Sequence, residues 1–435
     1  MNLEKDVIMM NNEKIPGMNR TAGGKSVQEK ASERGLKSPA PVKILKPKTV
    51  VRINAKLIDN NAREQIETMA KSPAFHGLIS IMPDVHLGIG AVIGFTGKFN
   101  KCVIPNVVGV DIGCGVTTYP LGKIDIDFEA LDKHIRSHVP LGFNSHKNEG
   151  HLQELTNKQS GYSKEQLDEV IALCFRIETE FYAGRFDRWT PPRMQIGTLG
   201  GGNHFIEVDV DDEGNKYLTV HSGSRNFGLK VATHFQKKAK EFCEALPTKD
   251  IATHLEYLPL SFGGEEYLKF LYIAQEYASL NRDIMITLVL KFFGLDFFKE
   301  NKIESVHNYI SPRDKVIRKG AISAHKGERV IIPLNMRDGI ILGVGKGNPS
   351  YNNSAPHGAG RVSGRKAMKK KLEEGVITME QFKDSMKGIF STSVSKKTID
   401  ESPFAYKALK DIQKYLEETV EIEKRLKPVY NLKAN

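Results

Sequence analysis

The 435-residue chain predicts an α+β fold, with strands that feed glycine-rich loops into one central cleft. Three observations support this prediction. Hydrophobic residues make up 40% of the chain, which is enough for a full globular core. Short apolar runs alternate with longer helical patterns, and several runs end in glycine-rich segments that carry His, Cys, Asp or Glu. These polar segments are spread along the whole chain, which favours a single catalytic domain over two independent ones.

Net charge and cysteine content restrict the class of partner and the compartment. The chain carries 63 Lys and Arg against 52 Asp and Glu, and its net charge of +11 favours a polyanionic partner, RNA or DNA before a membrane. The four cysteines lack paired spacing, which argues against a disulfide framework and for a reducing, cytoplasmic compartment. No apolar run approaches membrane-spanning length and no signal peptide opens the chain, so no membrane partner is expected.

Residues 1–45 are expected to form a flexible, basic N-terminal tail. They are poor in large apolar groups and rich in Lys, Glu, Asn, Ser and Gly. Organised structure is expected from about Val50, and residues 46–435 form the predicted catalytic domain.

The first predicted elements are a helix over residues 60–71 and a strand over residues 78–82. The strand leads directly into Asp84 and His86. A carboxylate and an imidazole just past a strand, followed by glycines, commonly mark a site at the end of that strand. The alternative is a turn that carries a solvated aspartate and a capping histidine.

The segment 109–115, Gly-Val-Asp-Ile-Gly-Cys-Gly, is the point around which the predicted fold is organised. It follows the apolar run 103–108, which predicts a buried strand ending in a glycine-rich bend. Glycines permit tight backbone curvature, so the Asp111 carboxylate and the Cys114 thiolate can converge on one point. Sulfur beside oxygen suits a borderline divalent metal such as manganese, zinc or iron. For this segment taken alone, a tight turn with a buried cysteine is the alternative.

The middle of the chain combines a predicted scaffold helix with a second polar segment. Residues 164–182 have the apolar spacing of an amphipathic helix. At 197–207, three consecutive glycines expose backbone N–H groups to an approaching phosphate. A strand predicted over 217–220 delivers a histidine into another loop of small residues. The polar candidates of this region are Asn203, His204, Glu207 and His221.

The last third of the chain adds two more histidines. A helix is predicted over Glu265–Phe293, and His307 follows it next to Asn308. His357 lies between a proline and a glycine, so little would shield its ring from a ligand, and Arg361 is placed to pair with a phosphate. Any one of these histidines alone is more often structural than a ligand.

The remaining predicted elements are strands over 329–333 and 339–344, helices over 368–374 and 404–426, and a strand over 428–432. The final strand places Lys433 almost at the C-terminus, where a lysine usually points into solvent.

In their order along the chain, these motifs resemble those of the RtcB family of RNA-splicing ligases. The similarity spans roughly residues 45–435 and omits the tail. Several separated motifs in register argue strongly against chance similarity. The resemblance implies an RtcB-like α+β catalytic domain with mixed sheets around a central metal cleft. The matching segments are 82–88, 109–115, 197–207, 221–225, 307–308 and 357–361.

The resemblance implies a site for two manganese ions and a histidine nucleophile. One ion would take Asp111, Cys114 and His204. The other would take Cys114, His221 and His307, with the Cys114 sulfur bridging the pair. A further histidine, His357, matches the residue that attacks the α-phosphate of GTP to form a covalent His–GMP.

RNA is the partner that the resemblance implies, either as tRNA halves or as broken RNA ends. GMP would pass from the histidine to an RNA 3′-phosphate, and an incoming 5′-hydroxyl would displace it to leave a 3′,5′-phosphodiester. Family members also open a 2′,3′-cyclic phosphate first. An archease-type protein is a further implied partner. The implied nucleotide contacts are Asn203, His204, Phe205, Ile206, Glu207, His307, Asn308, Pro333, Leu334, Asn335, Met336, His357, Gly358, Ala359, Gly360, Tyr406 and Lys433.

Positions expected near the nucleotide depart from the family pattern. The usual Pro-Gly-Ser-Met reads Pro333-Leu334-Asn335-Met336, and a serine expected a few residues later is Ile340. These changes leave open an enzyme of the same family that repairs RNA or caps 3′-phosphates with an altered nucleotide specificity. A non-catalytic, metal-containing RNA-binding protein is the alternative from another class, and the basic charge also suits it.

Overall fold

A computed structural model of the chain describes residues 7–8, 49–155, 163–186, 189–247 and 251–434. The predicted N-terminal tail lies outside this part, apart from Val7–Ile8, which pairs antiparallel with the strand Thr49–Ile53. The division into a tail and a catalytic domain stays a prediction.

The described residues combine helices with mixed and antiparallel sheets, which confirms the α+β prediction. The strands are β1 Val7–Ile8, β2 Thr49–Ile53, β3 Phe75–His86, β4 Ile93–Phe99, β5 Cys102–Val103, β6 Gly115–Gly122, β7 Phe205–Val210, β8 Lys216–Ser222, β9 Leu258–Pro259, β10 Ile303–Val306, β11 Asn308–Ile310, β12 Val316–Lys319, β13 Ala321–Ser323, β14 Arg329–Asn335, β15 Gly339–Gly345, β16 Ser354–Pro356 and β17 Val420–Lys433.

The helices are α1 Asn60–Ala70, α2 Pro105–Val108, α3 Phe128–His138, α4 Gly150–Glu154, α5 Lys164–Arg176, α6 Pro192–Gln195, α7 Arg225–Glu244, α8 Glu265–Phe293, α9 Arg365–Glu373, α10 Met379–Ser385 and α11 Leu409–Thr419. None of the helices in the described part of the chain combines the length and the apolarity needed to cross a bilayer.

Two large sheets form the framework of the described residues. One has six strands in the order β1-β2-β3-β4-β12-β11, and within it β2 and β3 are parallel. The other has seven strands in the order β10-β6-β8-β7-β17-β15-β14, and its pairs are antiparallel. His307 joins the two sheets, because it separates β10 of the second from β11 of the first.

Antiparallel pairing brings strand ends that are distant in sequence to one edge of the seven-stranded sheet. β10 ends and β6 begins at the pair Val306–Gly115, and β7 begins at Phe205, which pairs with His221 one residue before the end of β8. The first residue of β6 also pairs with the last of β8, and the last of β17 pairs with the first of β7. This edge therefore carries His307, Cys114, His221, His204 and Lys433.

The long helix α8 supports this edge from one face of the sheet. It begins and ends where the sequence predicts, and a left-handed Gly294 caps its C-terminus. Most of its side chains are buried in the main hydrophobic core, together with residues of β6, β8 and α7. Its polar residues Asn281, Arg282 and Asp283 are also buried.

Three predicted elements are corrected by the structure. Residues 103–108 form the end of β5 and the short helix α2, because Pro105 occupies the first position of a helical turn. The helix predicted over 404–426 ends at Thr419, and β17 takes the rest. The helix predicted over 164–182 becomes a π-helical turn at Ile177–Tyr182. In addition, Asp84 and His86 lie within β3 and not beyond its end.

Candidate metal and nucleotide site

Three donor atoms converge at the shared edge of the seven-stranded sheet. They are the Cys114 Sγ, the His204 Nε2 and the His221 Nε2, which all lie within 4.8 Å of one another. The sulfur is 3.5 Å from the His204 nitrogen and 3.3 Å from the His221 nitrogen. All three residues are buried. Sulfur with imidazole nitrogen is a donor set that suits a borderline transition metal, so these residues could hold an ion.

The other two predicted ligands extend this cluster on either side. Asp111 Oδ2 lies 3.0 Å from His204 Nε2, and His307 Nε2 lies 3.3 Å from His221 Nε2. The buried Nδ1 of His307 has no hydrogen-bond partner among the described residues. The two facing imidazole nitrogens can share at most one proton, so at least one of them presents a lone pair to the other ring. A cation beside them would bind such lone pairs. The donor set therefore fits a metal.

The ionisation of the cluster also fits a metal. Burial raises the pKa of the Cys114 thiol well above its ordinary value, with a further contribution from Asp111. Burial lowers the pKa values of His221 and His307, so both imidazoles are neutral, which is the form that binds metals. Burial opposes ionisation of Asp111, but His204 outweighs it and lowers the pKa of the carboxyl to about 2. A metal would displace the thiol proton.

Buried polar contacts fix the loops that carry these donors. The carbonyl of Leu199 lies 2.8 Å from His204 Nδ1 and accepts its proton, which leaves the Nε2 lone pair facing the cluster. Arg282 donates through Nη1 to the carbonyls of Gly113 and Ser222, at 2.9 and 2.7 Å. The α8 arginine thus holds together the loops of Cys114 and His221.

His357 lies beside the donor cluster. Its ring centroid is 4.9 Å from that of His307, and its side chain is 20% exposed. Its Nδ1 lies 2.6 Å from Oδ2 of Asp84, a residue with no exposed surface. Because the carboxylate accepts the Nδ1 proton, the Nε2 atom carries the lone pair.

The Asp84 carboxylate is held by close packing of two backbone segments. The register of β3 against β4 shifts between Ile81 and His86, which reorients this stretch of the strand. A Cβ on Gly360 would lie 2.5 Å from the carbonyl oxygen of Asp84, so a glycine is needed at this position of the His357 loop. Lys407 donates to the carbonyls on either side of Asp84, at 2.9 and 3.2 Å.

A cleft of about 310 Å³ opens onto the cluster, and most of the residues predicted to bind the nucleotide line it. His204 and Ile206 are not among its lining residues. The Ile206 side chain points to the opposite face of β7 and is fully buried in the main core, so it does not face the cleft. The predicted residues that line the cleft are Asp111, Cys114, Asn203, Phe205, Glu207, His221, His307, Asn308, Pro333, Leu334, Asn335, Met336, His357, Gly358, Ala359, Gly360, Tyr406 and Lys433.

Comparison with known proteins identifies the family. The family model for tRNA-splicing ligase RtcB matches residues 65–434. The chain belongs to the RtcB family. The RNA-splicing ligase RtcB of Escherichia coli K12 is 31% identical to it, with 87% of this chain and 95% of that protein covered. The tRNA-splicing ligases RtcB of Archaeoglobus fulgidus and Pyrobaculum aerophilum are 29% and 26% identical, with 82% and 77% of this chain and 87% and 83% of those proteins covered.

Glu401 is a polar residue of this RtcB-family cleft that the sequence did not indicate. Glu401 accepts a hydrogen bond from the Tyr406 hydroxyl at 2.6 Å and pairs with Arg361 at 3.1 Å and with Lys433 at 3.5 Å. The Arg361 guanidinium also lies over the Tyr406 ring, at 5.1 Å from its centroid. Arg361 lines the cleft, but its charge is already paired. No local motif marks Glu401, which ends the short 3₁₀ helix Lys396–Glu401.

Lys433 and Glu207 of β7 line one wall of the cleft. Lys433 is buried, not solvated, and donates to the carbonyl of Asn203 at 3.3 Å. Burial raises the pKa of Glu207 to about 7 and raises that of Asp209 well above its ordinary value. Ile340 packs in a buried core cluster and does not line the cleft.

Proposed function

We propose that this RtcB-family protein is a GTP- and manganese-dependent RNA ligase. It joins RNA ends that carry a 3′-phosphate or a 2′,3′-cyclic phosphate to ends that carry a 5′-hydroxyl. The observation that carries the proposal is the position of His357, 4.9 Å from the His307 ring and bound through Nδ1 to Asp84 at 2.6 Å. The curated relatives are themselves named RNA-splicing and tRNA-splicing ligases, which supports the same activity.

Two manganese ions would be held by five residues in this proposal, with Cys114 shared by both. When bound, the ions would neutralise the charge of the triphosphate and of the departing groups. The proposed ligands of the first ion are Asp111, Cys114 and His204, and those of the second are Cys114, His221 and His307.

His357 is the proposed nucleophile. Because Asp84 accepts its Nδ1 proton, the Nε2 lone pair is free to attack the α-phosphorus of GTP. The N–P bond forms as the bond to the β-phosphate oxygen breaks, and pyrophosphate leaves. Asp84 stabilises the positive charge that develops on the ring. The product is a covalent His–GMP, from which imidazole can leave again.

The RNA ends then react in two transfers. An oxygen of the RNA 3′-phosphate attacks the phosphorus of His–GMP, the N–P bond breaks, and the RNA end carries GMP through a pyrophosphate linkage. The 5′-hydroxyl of the second strand attacks the RNA phosphorus, loses its proton, and displaces GMP. A 2′,3′-cyclic end is first opened by water. In this proposal, backbone N–H groups of the glycine run 200–202 donate to phosphate oxygens of the approaching RNA.

The compartment and the protein partner are part of the same proposal. Four buried, free cysteines suit a reducing cytoplasm, where the Cys114 thiol stays available to a metal. An archease-type activator is proposed from the family resemblance alone.

The composition of one wall of the cleft supports a second candidate function within the same enzyme class. Pro333, Leu334, Asn335 and Met336 all line the cleft, and two of them replace the Gly-Ser of the family pattern. An enzyme that repairs broken RNA or caps 3′-phosphates, with an altered base preference, is the alternative. Labelling by GTP compared with ATP, followed by joining of broken tRNA compared with splicing halves, separates the two.

Covalent labelling tests the proposed function. Purified protein incubated with manganese and [α-³²P]GTP should acquire an acid-labile, base-stable label, and His357→Ala should acquire none. An unlabelled wild-type protein, or an equally labelled His357→Ala variant, would overturn the nucleotidyl-transfer mechanism. RNA binding that survives in a protein without any nucleotide turnover would instead indicate the non-catalytic RNA-binding alternative.

A further inference from the structure

Phe143 is an unusual surface residue because its ring is fully solvated although its backbone is firmly anchored. Its relative exposure of 109% is the highest among the large apolar side chains of the described residues. An isolated exposed apolar residue is common on protein surfaces. What sets this one apart is the segment that carries it.

Residues 139–147 are attached to the glycine-rich segment that precedes Asn203. Gly142 donates to the carbonyl of Gly200 at 2.9 Å, and Leu199 donates to the carbonyl of Pro140 at 3.0 Å. Arg225 donates to the carbonyl of Gly142 at 2.6 Å. A left-handed φ of +65° at Gly142 allows the loop to turn at this point. Phe143 is thereby presented from a fixed backbone.

The anchoring segment leads directly into Asn203, which lines the cleft, and into His204, a proposed metal ligand. The Cα of Gly142 lies 3.8 Å from the place that a Cβ on Gly201 would occupy. On its other flank, the glycine run approaches Arg365, whose Nη2 lies 3.7 Å from the place of a Cβ on Gly202. The Phe143 loop and Arg365 therefore bracket the glycine run just outside the cleft.

The surface around Phe143 is basic and polar. It forms the wall of a shallow depression with Arg136, Ser137, Asn144, Ser145 and Lys147, which contains no acidic lining residue among the described residues. Arg136 also donates to Asp132 and Thr392, which fixes its orientation. Cations and hydroxyl groups around an exposed aromatic ring are the components of a surface that binds single-stranded nucleic acid.

We propose that Phe143 is a stacking platform for an unpaired base of the RNA strand that approaches the cleft. The ring stacks on the base, while Lys147 contacts an adjoining phosphate. This inference rests on the proposed RNA ligase function, but it concerns a surface outside the nucleotide cleft. A flat ring accepts any base, so the platform gives affinity for an unpaired end without sequence preference.

Binding of short RNA strands tests the platform separately from nucleotidyl transfer. The probes are two fluorescent oligonucleotides, one with a 3′-phosphate end and one with a 5′-hydroxyl end, each with 2-aminopurine at the terminal position. Phe143→Ala should bind at least one probe about ten-fold more weakly, and binding should no longer quench the 2-aminopurine. Phe143→Trp should retain both properties.

A matched control and an altered substrate make the result specific. Phe175 on α5 is also exposed, at 62%, but lies outside the residues that line the cleft and the depression. Phe175→Ala should bind both probes as the wild type does. A probe that lacks its terminal base should bind wild type and Phe143→Ala equally, because it has no base that could stack on the Phe143 ring.

GTP labelling distinguishes failure of the stacking platform from failure of the proposed ligase function. Phe143→Ala should still become labelled with GTP at the wild-type level, since the ring does not contact the cleft. Wild-type affinity and quenching in Phe143→Ala for both probes would overturn the platform, and would assign Phe143 to a protein partner or to no partner. Absence of GTP labelling in the wild type would overturn the ligase mechanism and leave the RNA-binding result interpretable by itself.

Discussion

The pair formed by His357 and Asp84 shows how one hydrogen bond can determine the chemistry of a side chain. A histidine alone on a glycine-rich loop could donate or accept at either nitrogen. The buried carboxylate at 2.6 Å from Nδ1 fixes which nitrogen carries the proton, and the lone pair is left on the other nitrogen, which is the proposed nucleophile. In the proposed reaction, Asp84 is a positioning residue that acts on the substrate through His357.

Replacement of Asp84 by asparagine should slow nucleotidyl transfer while the fold is retained. An amide cannot stabilise the positive ring, and it can present its NH₂ group to Nδ1, which would place the proton on Nε2. By analogy with the loss of an aspartate behind a catalytic histidine, the single-turnover labelling rate should fall roughly 100- to 10 000-fold. The measurement is the rate of [α-³²P]GTP labelling across pH.

Asp127→Asn is the matched control, because this aspartate caps α3 at an exposed position away from the cleft. It should cost a little stability and leave the labelling rate unchanged. A labelling rate for Asp84→Asn equal to that of this control would contradict the positioning role.

At the residue scale, the sequence indicated the candidate donors and the candidate nucleophile but not the residues that support them. The candidate donors Asp111, Cys114 and His221 and the candidate nucleophile His357 could be named because glycines and short motifs surround them. Glu401 could not, because its partners Arg361, Tyr406 and Lys433 meet it only in the folded chain. The motif of Asp84 was visible, but its bond to a side chain 273 positions away was not.

At the scale of elements, helix α8 connects the core to the metal cluster through Arg282. Its guanidinium is fully buried, holds the carbonyls of Gly113 and Ser222, and pairs with Glu304 at 2.8 Å. Burial opposes ionisation of Glu304, but Arg282 and then Lys302 outweigh it and lower the pKa of its carboxyl. The helix thus supplies the charge that keeps two donor loops together.

Arg282→Met should destabilise the protein strongly and reduce its metal content. Removal of one partner of a buried pair leaves an uncompensated charge and typically costs about 3–5 kcal/mol. The double variant Arg282→Met/Glu304→Gln should recover part of the free energy of unfolding but not the metal content, because the bonds to the two carbonyls remain absent. Chemical denaturation and elemental analysis measure the two effects. Full metal content in the single variant would contradict the proposed support.

The hairpin of β11 and β12 gives a prediction for pH. Asp314 accepts from Arg318 at 2.8 Å and from the amide of Val316 at 3.0 Å. Burial opposes ionisation of Asp314, but Arg318 outweighs it and lowers the pKa of the carboxyl to about 2. Since the folded pKa lies below the unfolded one, the stabilisation is present above about pH 4 and is lost as the pH falls towards 2.

Wild type should exceed Asp314→Asn in free energy of unfolding by about 1–2 kcal/mol at pH 7, after allowance for solvent screening. About half of this difference should be lost at pH 3. Urea titrations at both pH values measure it, with Asp212→Asn as a control whose carboxylate is almost fully exposed. A difference that is independent of pH would mean that the arginine does not act on the ionised carboxylate.

Strand β17 shows why elements could be predicted only in part. Its segment 420–426 is rich in Glu, Lys and Arg, which favour helix, and the preceding helix α11 suggested continuation. The alternation of buried and exposed residues along β17 is nevertheless that of a strand. Pairing with β15 and β7 on its two sides decided the outcome, and this pairing is tertiary information. In contrast, α8 was predicted correctly because a long apolar pattern and a terminal glycine define it locally.

At the scale of the whole molecule, the candidate metal cluster links segments that are far apart in the chain. Its donors span residues 111–307 and lie at or next to the ends of neighbouring strands of one sheet, with His307 at the connection to the other sheet. This arrangement follows from antiparallel register, which no local pattern reveals. A ligand that contacts all these segments at once can bind only the folded state, because the segments are separated in the unfolded chain. Such a ligand must stabilise the entire fold.

Removal of metal should therefore lower the thermal stability of the whole protein. At a free concentration of about 100 times its dissociation constant, a bound ion contributes about 2.7 kcal/mol, which corresponds to roughly 3 °C in Tm for a protein of this size. Calorimetry with a chelator should show this decrease, and added manganese should reverse it. His221→Ala should respond little to either addition, because it lacks a donor at the centre of the cluster. His357→Ala, which alters a histidine of the same cleft that is not a proposed donor, should respond as the wild type does. A Tm that is unaffected by chelation in metal-containing wild-type protein, or a full manganese response in His221→Ala, would show that these residues do not bind the metal together.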